Sequence, residues 1–249
     1  MSINTNSTKD LLLEANRLID NAYNIIDLAI VQINDLEERL ANFVPPDIEF
    51  PEPEPPPPPA QDDSRIKVAM LALEPDDPTG AWGKSNGGRA ASESDVMYNI
   101  DHRLDAEYEE NMRIVSEETG IPVPIMLAIG CRESNHGASL DSNGWGDNSN
   151  GFGVMQVDKR YHDIQGSDNP RSMEHIRQAT GIFVDFLGQV MDNHPDWDDK
   201  YALKGGVVAY NSGVSNVQSI NGMDVGTTGN DYGADTMCRA QKYYDEGKR

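Results

Sequence analysis

Pro122-Val123-Pro124-Ile125-Met126-Leu127-Ala128-Ile129-Gly130-Cys131-Arg132-Glu133 is the stretch on which the fold turns. Proline is accommodated in a first helical turn, where its missing N–H would go unpaired anyway, so Pro122 and Pro124 open a helix. Residues 125–133 are then apolar nearly all round until Arg132, the pattern of a central helix enclosed on every side. Upstream, residues 92–119 read as another helix, ended by Gly120 and preceded by a polar, glycine-containing lead-in at 78–88. Downstream lies a Gly- and Asn-rich stretch, 137–153, and then Val154-Met155-Gln156-Val157, which reads as a short strand with Asp158 at its exit. Further helical segments run to the C-terminus, with Gly205-Gly206 and Asn211-Ser212-Gly213 as expected interruptions. The expectation is a mostly α domain over 65–249 with a small β-hairpin region.

Two different segments come before it. From 7 to 44 the sequence repeats every seven residues. Leu12, Ile19, Ile26, Ile33 and Leu40 occupy one heptad position, and Ala15, Ala22, Ala29, Leu36 and Phe43 the position three later. Both positions are apolar throughout, which predicts an amphipathic or coiled-coil helix over 1–44 that oligomerises or docks on a larger assembly. The alternative is a single amphipathic helix packed on its own domain. Residues 45–64 include Pro-Glu-Pro-Glu-Pro-Pro-Pro-Pro-Pro. Proline fixes φ and removes donors, so this reads as extended polyproline II, a spacer rising about 3.1 Å per residue.

The formal net charge of the 249-residue chain is -22. Binding to nucleic acid phosphates needs a basic face, which this charge opposes. It would also repel an anionic surface at long range. The N-terminus has no basic stretch followed by an apolar run, and no segment is apolar for long enough to insert in a membrane. The expectation is therefore synthesis in the cytoplasm without a signal peptide. Cys131 and Cys238 are too few and too far apart for a disulfide framework, although sequence alone leaves open whether they are bridged. The five histidines show no zinc-ligand spacing, and neither metal nor cofactor is implied.

The carboxylates carry the chemical signal. Glu133 ends an apolar helix, where burial and the partial negative charge of the helix C-terminus both disfavour ionisation. A carboxyl raised in this way suits a general acid working near neutral pH; the alternative is a structural Glu paired with Arg132. Asp147 in Gly144-Trp145-Gly146-Asp147-Asn148, taken alone, reads as an Asx-turn residue, and Asp158 as a helix N-cap. Together, one raised carboxylic acid and further carboxylates across a cleft are the apparatus of glycoside hydrolysis.

Several blocks, in order over about 90–246, resemble the goose-type lysozymes. They are Arg132-Glu133-Ser134; Asn143-Gly144-Trp145-Gly146-Asp147; Gly151-Phe152-Gly153-Val154-Met155-Gln156-Val157-Asp158-Lys159-Arg160; His162; Lys204-Gly205-Gly206; Ala209-Tyr210-Asn211-Ser212-Gly213; Met223-Asp224-Val225-Gly226-Thr227-Thr228; Asp231-Tyr232; and Arg239-Ala240-Gln241. The resemblance implies an α+β lysozyme-like fold, and cleavage of the β-1,4 bond between N-acetylmuramic acid and N-acetylglucosamine in peptidoglycan. It makes Glu133 the general acid, has Asp147 and Asp158 position and activate water with inversion, and puts His162, Tyr210, Asn211 and Tyr232 along the sugar cleft. Room for that water would set acid and base carboxyls about 6.5–9.5 Å apart. The sequence departs from the family by one extra residue between Glu133 and Asp147, by lacking the disulfides of vertebrate members, and by its acidity.

Three other functions compete. A lytic transglycosylase would share the Glu-Ser and Ala-Tyr-Asn blocks but use no water. A free phage endolysin would need no tether. A structural particle component would carry an inactive lysozyme domain. The combined expectation is a muramidase carried by its N-terminal helix on a phage tail, virion or contractile injection device.

Overall fold

The computed structural model describes residues 65–74 and 89–249. The chain divides into two units, Met1–Pro57 and Pro58–Arg249, and every described residue belongs to the second. The heptad segment 7–44, the spacer 45–64 and the lead-in 78–88 lie outside the described residues.

Among the described residues there are seven α-helices: α1 (Arg65–Leu71), α2 (Arg89–His102), α3 (Ala106–Thr119), α4 (Val123–Ser134), α5 (Met173–Asn193), α6 (Asp199–Ser212) and α7 (Tyr232–Asp245). Between α4 and α5 lie three short strands, β1 (Trp145–Gly146), β2 (Gly151–Phe152) and β3 (Val157–Asp158), in the antiparallel order β1-β2-β3. Trp145 pairs with Phe152, and Gly151 with Asp158. The class is the mostly helical α+β arrangement that the sequence predicts.

Helix α4 is the centre. Ile125, Met126, Leu127, Ala128 and Ile129 are each 0% exposed, because α4 packs on α7 and α3 and the β region covers its end. Burying side chains of this size contributes about 1.5–3 kcal/mol each. The helix stops where Asn135 turns left-handed at φ 52, and its N–H closes onto the Cys131 carbonyl at 2.9 Å. Glu133 is thereby held in the last turn of the most enclosed helix.

The structure differs from the sequence expectation at three places. The helix predicted over 92–119 is two helices, because Asp105 caps α3 by accepting from the Tyr108 N–H at 2.9 Å. Glu107 and Glu109 in the new first turn favour the break. Gly205-Gly206 do not interrupt anything; they are buried inside α6. A Cβ on Gly206 would stand 3.1 Å from the Leu187 backbone, so these glycines let α6 lie close on α5. Finally, the strand predicted at 154–157 with Asp158 at its exit is instead Val157–Asp158, since Gln156 at φ 53 turns the chain just before it.

Polar groups fasten α7 to this frame. Arg132 reaches from α4 to Asp231 at 2.9 Å and Asp235 at 2.7 Å, and Arg239 joins Asp235 at 2.9 Å. The buried Lys204 of α6 pairs with Asp224 at 2.8 Å. Asp224 also accepts from the Gly233 and Ala234 N–H groups at 2.6 and 3.1 Å, satisfying the start of α7. The first residue of that helix is Tyr232. Cys131 and Cys238 are both buried and free.

Candidate active site

Glu133, Asp147 and Asp158 come from three different elements and line one cleft of about 390 Å³, together with Gln156, Arg160, Tyr210, Asn211 and Thr228. The Glu133 carboxyl does not pair with Arg132, which is engaged by Asp231 and Asp235. Instead the Tyr232 hydroxyl donates to Glu133 Oε1 at 2.5 Å. Burial is the largest influence on this carboxyl and pushes it up to about 7; the Tyr232 hydrogen bond and the Arg132 charge oppose the rise, and Asp147 adds to it.

Asp158 sits at the end of β3 under opposite influences. Arg160 forks onto it, with Nε at 3.0 and 2.9 Å from its two oxygens, and the Arg160 N–H donates to Oδ1 at 2.8 Å. That hydrogen bonding holds the carboxyl below the usual carboxylate range. Asp147 is exposed and opens a run of three residues with left-handed backbone, Asp147 at φ 45, Asn148 at 54 and Ser149 at 64. Arg160 Nη2 stands 3.9 Å from its carboxylate, so one guanidinium bridges Asp147 and Asp158.

The glycines of these blocks make space. The Gln156 amide lies against the backbones of Gly146 and Gly151, where an added Cβ would come within 2.3 and 2.5 Å of its Oε1. From there Gln156 Nε2 donates to the Gly153 carbonyl at 2.8 Å.

The other residues anticipated from sequence divide. His162, Tyr210 and Asn211 line an adjoining groove of about 600 Å³ that shares Gln156, Asp158 and Arg160 with the first cleft and adds Tyr161, Ile182 and Phe186. Tyr210 also donates to the Met155 carbonyl at 2.8 Å, and the Asn211 side chain accepts from the Thr228 N–H at 2.9 Å. Tyr232 lines neither space; it is 1% exposed and meets the cleft only through Glu133. Arg160 and Gln156 are the residues sequence reasoning left without a role. The signal for Arg160 was its position two residues beyond Asp158, within reach of the carboxylate. Among the described residues no group of three or more His, Cys, Asp or Glu side chains is arranged to hold a metal ion, and no helix is long and apolar enough to cross a membrane.

Comparison with known proteins gives a consistent answer. The family model described as Lysozyme g matches residues 79–247. The lysozyme g of Gallus gallus is 44% identical over 141 residues, 57% of this chain and 65% of that protein. The lysozyme g of Cyprinus carpio is 40% identical over 141 residues, 57% of this chain and 75% of that one. A glycine, glutamate and proline-rich protein of Lottia gigantea is 45% identical over 123 residues, 47% of this chain and 29% of its own length. The match to the Gallus protein thus spans just under two thirds of that relative.

Proposed function

This chain belongs to the lysozyme g family, and from that premise we propose that it is a muramidase, hydrolysing the β-1,4 bond between N-acetylmuramic acid and N-acetylglucosamine in peptidoglycan. The observation that carries the reading is the presence in one cleft of two carboxyls driven in opposite directions. Glu133 is pushed up to about 7, and Asp158 is held below the usual range. Near neutral pH the first is protonated in a large fraction of molecules and the second is ionised, which is the division of labour that acid and base roles require.

In the reaction, Glu133 gives its proton to the glycosidic oxygen as the C1–O bond breaks. A water held by Asp147 and Asp158 adds to C1 from the opposite face, inverting the anomeric centre, and its proton passes to the carboxylate side. The Tyr232 hydrogen bond to Oε1 orients the acid and leaves Oε2 to carry the proton. Arg160 keeps the two aspartates together at the water position. His162, Tyr210 and Asn211 supply polar contacts to the sugar rings, and Ile182 and Phe186 supply apolar area for their faces.

The test is mass spectrometry of muropeptides released from purified peptidoglycan by wild type and by Glu133→Gln. Reducing, hydrated muramic ends from wild type alone are expected. Anhydro ends would make the chain a lytic transglycosylase, with no water for Asp147 and Asp158 to activate. No products would leave a binding or structural role.

The heptads of 7–44 and the spacer of 45–64 support a second part of the reading: the enzyme is tethered to a larger assembly, such as a virion, tail or injection device. A net charge of -22 makes unaided approach to an anionic wall unfavourable, which delivery by a particle would offset. The full chain is expected to be oligomeric in solution by light scattering. A monomer that lyses cells freely would point to an endolysin released on its own.

A further inference from the structure

His175 lies in the first turn of α5, is 0% exposed and makes no contribution to either cleft lining. Its Nε2 is 3.2 Å from the Met155 N–H, which donates to it. Accepting that bond requires a lone pair on Nε2, so a neutral ring carries its proton on Nδ1. Nδ1 has no hydrogen-bond partner among the described residues. An apolar side chain would satisfy the packing here without bringing a polar ring into the core. What the imidazole adds is a single acceptor aimed at one backbone N–H.

That N–H belongs to a peptide segment gripped from several helices. The Met155 carbonyl accepts from Tyr210 of α6 at 2.8 Å. The Val154 carbonyl accepts from Ser134 of α4, next to Glu133, at 2.8 Å. Gly153, at φ 73, presents its bare Cα to the His175 ring, where a Cβ would stand 2.3 Å from Nε2. The Phe152 ring meets the imidazole edge-on with centroids 5.5 Å apart. Gln156 and Asp158 follow directly along the chain, both in the cleft. The turn at 153–156 is therefore the segment through which α4, bearing Glu133, and β3, bearing Asp158, are set against each other, and His175 is its attachment to α5.

We propose that His175 is a positioning residue for the hydrolysis, fixing Asp158 and Gln156 relative to Glu133 by accepting the Met155 N–H. The inference rests on the hydrolase reading of the cleft. Burial pushes the imidazole down to about 4, which keeps the acceptor lone pair in place at neutral pH.

The experiment uses the full chain as wild type, His175→Gln and His175→Leu, with initial rates of reducing-end release from purified peptidoglycan and the melting temperature of each protein. Glutamine can present its amide oxygen near the position of Nε2; leucine fills the space without an acceptor. The expected result is a kcat at least ten-fold lower for His175→Leu with KM changed less than two-fold, and recovery of at least a third of the wild-type kcat in His175→Gln. A purely structural role would lower the melting temperatures and the fraction of active protein without this split. Leucine at wild-type kcat, or glutamine no better than leucine, overturns the proposal. Should His175→Leu not fold, nitrogen-15 NMR of the wild type decides: a proton on Nδ1 with a slowly exchanging Met155 amide is required, and an Nε2–H tautomer overturns it. Wild type that releases no product overturns the hydrolase reading and this inference with it. An active wild type with indifferent variants overturns this inference alone.

Discussion

The hydroxyl of Tyr232 donates a 2.5 Å hydrogen bond to Glu133 Oε1, joining the first residue of α7 to the last turn of α4. The bond favours the ionised carboxylate and so works against the burial that raises it. In Tyr232→Phe the carboxyl should rise further above about 7. The alkaline limb of the kcat/KM profile is expected to move to higher pH, while kcat at the optimum falls about ten-fold as the acid loses its orientation. A pH–rate series on the variant checks both. An alkaline limb that stays put would detach Tyr232 from the titration of the acid.

Arg160 acts on the other limb. Its hydrogen bonds hold Asp158 low, so Arg160→Gln should let that carboxyl return toward its ordinary range. The acidic limb of the pH–rate profile then moves upward and activity below pH 5 drops. Because Arg160 is largely exposed, the melting temperature should barely change. Arg160→Lys keeps the charge without the two-pronged geometry and is expected to recover only part of the loss.

Glu133 should weaken the fold it serves. Its folded-state pKa lies above its unfolded value of about 4.5, so the native state binds more protons between about 4.5 and 7. Stability contributed at this site is therefore lost as pH rises through that window. Glu133→Gln removes the penalty and still offers an oxygen to Tyr232. The variant should be inactive yet more stable than wild type at pH 8, by on the order of 2 kcal/mol, with the difference vanishing near pH 4. Urea denaturation at the two pH values measures it.

Acid should unfold the domain through two core histidines. Burial pushes His136 down to about 3 and His175 down to about 4. His136 sits between the Tyr108 and Tyr243 hydroxyls, at 3.1 and 2.6 Å. Both rings are neutral when folded and protonate near 6.5 when unfolded, so the unfolded chain takes up the extra protons as pH falls below that value. Each histidine then removes stability at roughly 1 kcal/mol per pH unit until its folded pKa is reached. The melting temperature should fall steadily from pH 6.5 to 4, and His136→Gln should flatten part of that slope.

Much of this was legible in sequence, for reasons that can be named. Helix α4 was readable because nine consecutive positions from 125 are apolar, small or at the helix end, a pattern that fits only full enclosure. Glu133 stood out because a carboxylate ending such a helix is either a raised acid or a structural partner of Arg132, and only the folded chain has Arg132 taken up by Asp231 and Asp235. The break at Asp105 was hidden, since Asp-x-x-Tyr before a polar helix looks like continuing helix until the cap forms. Gly205-Gly206 read as a stop because glycine is a poor helix former, while the close approach of α5 that makes it necessary is a tertiary fact. Tyr232 was placed along the sugar cleft, whereas it stands behind Glu133, and Arg160 met Asp147 and Asp158 only when the chain folded both onto the same guanidinium.

The left-handed run at Asp147, Asn148 and Ser149 separates two kinds of selection. Residues with a Cβ are held there at a cost of roughly 1–2 kcal/mol each, so folding alone would favour glycine at all three positions. A library randomised over 147–149 and sorted for stability should drift toward glycine and asparagine at every position. Sorted for wall lysis, the same library should drift at 148 and 149 but keep aspartate at 147. Divergence of the two sequence profiles at that single position would be the mark of a residue kept for chemistry against the preference of its own backbone.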